Sequence, residues 1–375
     1  MPQIGLLLHF FQPWWQFPRV MADIHRATYE PILNFVFEGN LRFAFTANIH
    51  QHLLSYWADL HPIFFGNLIN AVDAGKIELT GTAKEHPILP LLTEKEAVKQ
   101  IAADRKSKKV LGFPYAHGFF FPEMAYSLRD FGLIKANGYQ WTVLEDSAFV
   151  AREKPFNFIP EVEGMAVFLR SSHWNRRVWD QHMSFEEIRM RMKHELPPWM
   201  GKDQAYLVFA MDAETFGHHV SYLLKSFLMP ALSAWGGDGN LLPFKRLLEI
   251  FPKRDGEILS RHSWSTTAYD LDAEDPYPLW HSPKNFAHRL YARLLEIAFR
   301  HTDSPDMEDN GLKIANSCHT WWVSDRPHYK PEFMMYGAQL AMDIINRRAI
   351  DIRERTEAWE IFNRLENIER ISLHK

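Results

Sequence analysis

Four ionisable side chains directly follow a markedly apolar run of the sequence. Residues 205–211 read Ala-Tyr-Leu-Val-Phe-Ala-Met, and they lead into Asp212, Glu214, His218 and His219. A continuous apolar run of this length predicts a strand that is covered on both faces. Burying two carboxylates and two imidazoles at its end is costly unless they have partners. The grouping therefore indicates acid–base chemistry at a strand end, and a polar loop after a strand is the plainer interpretation.

A second carboxylate stands at the end of another apolar segment. Gly118-Phe-Phe-Phe-Pro precedes Glu123, much as the run ending at Met211 precedes Asp212. Because both carboxylates follow apolar residues, we expect partial desolvation and at least one raised pKa. Cleavage of a glycosidic bond needs one carboxylic acid that protonates the leaving oxygen and one carboxylate that attacks or activates water. Glu123 and Asp212 are therefore the candidate catalytic pair.

Two other function classes use similar residues. His9, Asp212, His218 and His219 are residue types that bind a divalent metal, as in barrel hydrolases such as polysaccharide deacetylases. The chain has no close His-x-x-x-His pair to supply two ligands from one helix face, which disfavours this alternative. A sugar-binding barrel without catalytic activity is the third class.

Apolar runs that end in polar residues recur along the chain. Further examples end at or contain His9, Asn48, Glu78, Glu145 and Arg170. They alternate with helical periodicity, which predicts a parallel sheet of about seven strands. Polar groups at so many strand ends favour a closed barrel, because an open sheet binds its ligand at a single switch point. The predicted fold is α/β, a seven-stranded (β/α) TIM-like barrel.

Helical spacing dominates the last hundred residues. We place the catalytic barrel in residues 1–270 and a C-terminal helical region in residues 271–375. Between two predicted helices lie His319, the pair Trp321 and Trp322, and Asp325. This segment either packs the helical region against the barrel or folds over the barrel mouth and closes the active site. The sequence leaves both interpretations open.

Composition excludes several partners. The 375-residue chain has a formal net charge of −4, so a nucleic-acid partner is not expected. One cysteine, Cys318, excludes an intramolecular disulfide and a cysteine-rich metal site. The start of the chain lacks a signal-peptide pattern and no run is long enough to span a membrane, which predicts a cytoplasmic protein. Aromatic residues make up 14% of the chain and suit the apolar faces of sugar rings, and the oligomeric state is left open.

Five segments carry a family resemblance. In order they are His9-Phe-Phe-Gln-Pro13, Gly75-Lys-Ile-Glu-Leu79, Gly118-Phe-Phe-Phe-Pro-Glu123, Asp212-Ala-Glu-Thr-Phe-Gly-His-His219 and Cys318-His-Thr-Trp-Trp322. Together they resemble the motifs of glycoside hydrolase family 57. The resemblance implies a retaining enzyme for α-linked glucans or oligosaccharides, such as an α-amylase, an α-glucanotransferase or an α-galactosidase. Transfer to another sugar competes with hydrolysis in such enzymes, and neither metal nor cofactor is implied.

The same resemblance assigns residue roles. Glu123 would be the nucleophile and Asp212 the general acid/base. The remaining substrate-binding residues would be His9, Gln12, Glu78, Glu214, His219, His319, Trp321 and Trp322. Two positions depart from the family pattern, since Phe11 replaces a common second histidine and Phe120 replaces a common tryptophan. A retaining mechanism implies carboxyl groups about 5–5.5 Å apart.

Overall fold

The computed structural model describes residues 1–151, 154–201, 204–324, 326 and 329–373. Its strands are β1 (Gln3–Phe10), β2 (Phe45–Ile49), β3 (Ile77–Gly81), β4 (Gly118–Phe119), β5 (Tyr126–Ser127), β6 (Trp141–Glu145), β7 (Ile159–Val162), β8 (Met165–Arg170), β9 (Tyr206–Asp212), β10 (Lys253–Asp255) and β11 (Arg261–His262).

Its α-helices are α1 (Pro18–Ile24), α2 (Glu30–Glu38), α3 (Gln51–Leu60), α4 (Pro62–Asp73), α5 (Glu94–Val110), α6 (Leu128–Ala136), α7 (Ser172–Trp179), α8 (Phe185–Glu195), α9 (Met229–Gly237), α10 (Phe244–Ile250), α11 (Ala268–Asp272), α12 (Phe286–Phe299), α13 (Glu308–Lys313), α14 (Cys318–Trp321), α15 (Glu332–Arg348) and α16 (Ile352–Leu373). None of those in the described part of the chain is long and apolar enough to cross a membrane.

Seven parallel strands close into a barrel. The order around it is β1, β2, β3, β4, β6, β8 and β9, and β9 pairs in parallel with both β8 and β1. β7 pairs antiparallel with β8 and adds an edge outside the ring together with β10. The prediction of a seven-stranded (β/α) barrel followed by a helical C-terminal region is confirmed.

The register of the strands aligns polar residues at one end of the barrel. His9 of β1 is paired with Asn48 of β2 on one side and with Asp212 of β9 on the other. Residues paired in this way on parallel strands are direct neighbours across the sheet. The carboxyl ends of three neighbouring strands therefore contribute adjacent polar side chains.

Burial explains why the strand sequences are so apolar. All eight residues of β1 are buried, and β2 and β6 are buried along their full length. Parallel strands covered on both faces read as continuous apolar runs rather than alternating ones. At Gly118 of β4, an added Cβ atom would come within 2.1 Å of the Trp141 ring, so only glycine fits beside this indole.

The chain divides into two compact units. The barrel unit comprises Met1–Thr82, Asp104–Phe120 and Phe131–Ser260, and the helical unit comprises Ala83–Ala103, Phe121–Asp130 and Arg261–Lys375. In the helical unit, α12, α15 and α16 pack around an apolar core that includes Leu294, Ile345 and Leu365. The sequence-based boundary between residues 270 and 271 stays a prediction.

Candidate active site

Asp212 is the last residue of β9 at the carboxyl-end rim of the barrel. Burial raises the pKa of its carboxyl group from the ordinary value to about 6, and the positive charge of Arg170 acts in the opposite direction. Arg170 itself donates a hydrogen bond of 2.8 Å to Glu145 Oε2. Asp212 is therefore a carboxylic acid that can hold a proton close to neutral pH, which is the property a general acid needs.

Glu214 lies two residues further on and is buried in a cluster of hydrogen-bond donors. Its Oε1 accepts from the Tyr29 hydroxyl, from the Phe11 backbone N–H at 3.1 Å and from Gln12 Nε2 at 3.5 Å. Burial, and to a smaller extent the neighbouring Asp212 carboxylate, raise the pKa of Glu214 to about 8. Since Oε1 accepts these hydrogen bonds, the proton of the neutral Glu214 carboxyl group resides on the other oxygen, Oε2.

His9 is held in one tautomer by a chain of hydrogen bonds. Asn48 Nδ2 donates to Thr80 Oγ1 at 2.8 Å, so Asn48 Oδ1 is the atom that faces His9 Nδ1, also at 2.8 Å. Burial lowers the pKa of His9 to about 4, and the ring is therefore neutral at physiological pH. Nδ1 carries the hydrogen and Nε2 is the hydrogen-bond acceptor.

The two departures from the family pattern both contact His9. The Phe120 ring stacks on the imidazole with centroids 4.8 Å apart, and the Phe11 ring lies nearly parallel to it at 5.8 Å. Phe11 also meets His50 edge-on at 4.8 Å. Aromatic carbon therefore surrounds this imidazole, and neither ring adds a hydrogen-bond donor.

Glu78 lies away from this rim. It is the second residue of β3, near the amino end of the strand, and accepts from Thr46 Oγ1 at 2.7 Å. It also accepts from the backbone N–H groups of Phe244 and Lys245 at 2.8 and 3.2 Å, at the start of α10. A carboxylate in this place stabilises a helix N-terminus. The assignment of Glu78 as a sugar-binding residue stays a prediction from the sequence, and we leave it out of the proposed site.

His219 stays close to the rim through its backbone. Its N–H donates to the Glu214 carbonyl at 2.8 Å, whereas its side chain is exposed and meets Trp179 edge-on at 6.1 Å. The structure thus brings together Asp212, Glu214, His9 and Gln12 at one end of the barrel, with His219 at their edge.

Glu123 belongs to the helical unit and has a strained backbone there. Its φ angle is 59° and that of Met124 is 47°, the left-handed region that non-glycine residues rarely adopt. Trp264 Nε1 donates to Glu123 Oε2 at 2.8 Å, and His86 Nδ1 lies 3.9 Å from Oε1. His86 also has a positive φ of 57°, and its Nδ1 is 2.9 Å from Ser317 Oγ. Strain of this kind concentrates at functional positions.

The fifth motif has a structural explanation in the helical unit. His319 is fully buried, and its two ring nitrogens lie 3.3 and 3.2 Å from the carbonyl oxygens of Phe333 and Lys313. Burial lowers the pKa of His319 to about 4, so the ring is neutral and its single N–H donates to one of these two carbonyls. Its assignment as a substrate-binding residue stays a prediction from the sequence, and we leave it out of the proposed site.

The two tryptophans of this motif are partly buried. Trp321 packs against the cluster of Ile88, Ala125, Tyr277 and Trp280, and Trp322 contacts Phe333 at 4.9 Å. Trp321 and Trp322 also meet each other edge-on at 4.7 Å. Their assignment as substrate-binding residues stays a prediction. Asp325 lies outside the described residues.

Several residues that contact the candidate site residues were not assigned a role from the sequence. Arg170 could have been included, because it ends a strand of the barrel as Asp212 does. Tyr29 lies in a π-helical segment, His25–Tyr29, and nothing local marks it as a partner of a carboxylate 185 residues away. His86 and Trp264 are likewise separated from Glu123 in sequence. In the described part of the chain, no group of three or more His, Cys, Asp or Glu residues is arranged to hold a metal ion.

Carboxylates at the carboxyl ends of the strands of a (β/α) barrel are the arrangement found in barrel enzymes. Comparison with known proteins then gives the family: residues 11–234 match the model of glycosyl hydrolase family 57, and the chain belongs to this family. The family resemblance seen in the motifs is confirmed. Alpha-amylase 1 of Dictyoglomus thermophilum is 27% identical over 150 residues, which are 39% of this chain and 21% of that protein.

Solved structures share the fold. The 4-alpha-glucanotransferase from Thermococcus litoralis superposes with a TM-score of 0.74 at 16% identity, covering 92% of this chain and 60% of that one. A GH57 branching enzyme from Thermococcus kodakaraensis has a TM-score of 0.69 at 17% identity, with 98% and 95% of the chains covered. The chain thus spans about a fifth of the curated relative and three fifths of the glucanotransferase.

Proposed function

We propose that the chain is a retaining glycoside hydrolase of α-linked glucans or oligosaccharides, with transfer to a second sugar as a competing outcome. The observation that carries the proposal is the rim of the barrel, where Asp212 has a pKa raised to about 6 and adjoins His9 and Glu214. Family membership supports the reaction class, and the names of the relatives, an amylase, a glucanotransferase and a branching enzyme, support an α-glucan substrate.

In the first step Glu123 attacks the anomeric carbon as the glycosidic carbon–oxygen bond breaks. Asp212 donates its proton to the leaving oxygen, and a glycosyl ester of Glu123 forms. In the second step a water molecule or a sugar hydroxyl attacks the same carbon and gives its proton to Asp212, while the ester bond breaks. Each step inverts the anomeric centre, so the product keeps the configuration of the substrate.

The buried neighbours of Asp212 support its role. Glu214 retains its proton to higher pH than an ordinary glutamate, so Asp212 has no second anion beside it near neutrality. Neutral His9 presents Nε2 as an acceptor for a sugar hydroxyl, since Nδ1 is engaged by Asn48. Gln12 connects Tyr29 and Glu214 and orders the loop after β1.

We retain the cytoplasmic setting as a prediction.

A substrate panel tests this proposal. Purified protein is incubated with maltooligosaccharides, starch, 4-nitrophenyl α-glucosides and α-galactosides, and acetylated glycans, before and after exhaustive chelation. We expect cleavage or transfer on the α-glucans and the same rate after chelation, with Asp212→Asn as the control that is impaired on these unactivated substrates. Release of acetate that is lost on chelation and restored by a transition metal would contradict the proposal, as would sugar binding without turnover of any substrate.

A further inference from the structure

Trp264 contacts Glu123 at two points. The indole Nε1–H donates to Glu123 Oε2 at 2.8 Å, and the Trp264 backbone N–H donates to the Glu123 carbonyl at 3.1 Å. The adjoining strand β11 pairs antiparallel with β5, where His262 faces Tyr126. The segment that carries Trp264 is thus joined to the segment that carries Glu123 by backbone contacts at His262 and at Trp264 itself.

A tight turn holds the tryptophan in place. The Ser263 backbone N–H donates to Thr266 Oγ1 at 2.9 Å, and the two hydroxyl oxygens lie 2.7 Å apart. Thr266 Oγ1 donates in turn to the Pro276 carbonyl at 2.8 Å. Because these bonds fix the turn, the indole N–H is aimed before substrate binds, as effective catalytic donors are.

The other carboxylate oxygen has a different neighbour. His86 Nδ1 lies 3.9 Å from Glu123 Oε1, beyond hydrogen-bond distance, and is 2.9 Å from Ser317 Oγ. His86 is therefore oriented mainly by Ser317. Oε2 is the carboxylate oxygen that receives the indole N–H of Trp264.

We propose that Trp264 is a positioning residue that directs Glu123 to attack through Oε1 and then favours departure of the carboxylate from the sugar. The inference rests on the proposed function, in which Glu123 is the nucleophile. When the Oε1–carbon bond forms, Oε2 becomes the carbonyl oxygen of the ester and loses most of its negative charge. When water resolves the ester, the Oε1–carbon bond breaks and the charge returns to the carboxylate.

The indole donor acts unequally on the two steps. A hydrogen bond to a charged oxygen is roughly twice as strong as one to a neutral oxygen, so Trp264 stabilises the carboxylate more than the ester. Removing the N–H therefore slows breakdown of the glycosyl-enzyme more than its formation. We expect breakdown to slow at least tenfold, within the range seen when one preorganised donor is removed.

Trp264→Phe tests the inference, with Trp280→Phe as the matched control. Trp280 is a buried tryptophan of the same unit, and among the described residues its Nε1 has no hydrogen-bond partner. Each variant is mixed with α-maltosyl fluoride, quenched, and analysed by intact-protein mass spectrometry. We expect glycosyl-enzyme to accumulate in Trp264→Phe, with at least tenfold lower kcat, and the wild-type ratio of intermediate to free enzyme in Trp280→Phe.

The outcomes separate this inference from the proposed function. If wild-type protein treated with 5-fluoro-α-D-glucosyl fluoride is not labelled at Glu123, both fail. If Glu123 is labelled but the two tryptophan variants hold the same fraction of intermediate, only the role of Trp264 fails.

A measurement on unaltered protein covers the case in which Trp264→Phe does not fold. In protein labelled with nitrogen-15 tryptophan, one indole N–H proton signal should move upfield when Glu123 is esterified, because its acceptor loses charge. Absence of any such upfield movement would overturn the inference.

Discussion

The surroundings of Asp212 and those of Glu123 differ in how they prepare a carboxylate. Asp212 follows a regular buried strand, and its pKa is raised to about 6 because burial disfavours its charged form. Glu123 lies in a three-residue turn, Pro122–Met124, with positive φ angles, and its Oε2 accepts an indole N–H. The first region is adjusted mainly by desolvation, and the second by backbone geometry and a directed hydrogen bond.

This difference matches the two proposed roles. A general acid must carry a proton at the working pH, and burial raises the pKa of a carboxyl group without a special backbone conformation. A nucleophile must be ionised and must approach one carbon atom from a fixed direction, which a strained turn and a rigid donor provide. The two regions should therefore respond differently to substitution and to pH.

Removing the nucleophile should have the largest effect. Glu123→Ala should lower turnover by roughly four orders of magnitude or more, as loss of a covalent nucleophile does in other enzymes. Azide should restore turnover of an activated α-glycoside and give the β-glycosyl azide, because the small anion attacks once from the vacated side. Glu78→Gln is the control and should keep near wild-type turnover. Equal loss in both variants would contradict the distinction drawn between these carboxylates.

Removing the acid should have a smaller effect that depends on the leaving group. Asp212→Asn should lower turnover of unactivated glucan by about 100-fold or more, within the usual contribution of general acid catalysis. Aryl glycosides with good leaving groups should suffer less in the glycosylation step. In the wild type, kcat/KM should fall as pH rises through about 6, because Asp212 then loses its proton. Near wild-type turnover of unactivated glucan by Asp212→Asn would remove this residue from the role.

Glu214 should affect stability more than chemistry. Its folded-state pKa of about 8 exceeds that of an unfolded glutamate, so its stabilising contribution is present at low pH and is lost as pH rises from about 4 to 8. Glu214→Gln lacks this titration. The Tm of the wild type relative to the variant should therefore decline between pH 5 and about pH 8, by roughly 1–2 °C per kcal/mol for a chain of this length. A pH-independent Tm difference would show that Glu214 does not titrate in this way.

The sequence predicts the barrel and its rim because that information is local. Each apolar run and the polar residue that ends it are contiguous, and Asp212 and His9 meet because parallel strand ends share one edge. The contact of Tyr29 with Glu214 cannot be predicted in this way, since it depends on how a π-helical segment packs against the rim.

Two residues of the motifs lie where the sequence gives no indication of their surroundings, for a common physical reason. Glu78 is within a strand motif, but it lies at the amino end of β3, where it accepts from the backbone at the start of α10. His319 matches a motif, yet backbone carbonyls surround its ring. A motif gives residue identity, whereas the direction of a side chain along a strand or into a core is set by packing with distant segments. Trp264 belongs to none of the five motifs, and its contact with Glu123 becomes visible only in the folded structure.

The stereochemistry of the product tests the central claim most directly. An α-linked maltooligosaccharide is cleaved in the proton NMR tube, and the anomeric signals are followed before mutarotation mixes them. If Glu123 forms a covalent ester and Asp212 serves first as acid and then as base, the first product should be the α-anomer. Initial formation of the β-anomer would contradict the assignment of Glu123 as nucleophile and the two-step account built on it.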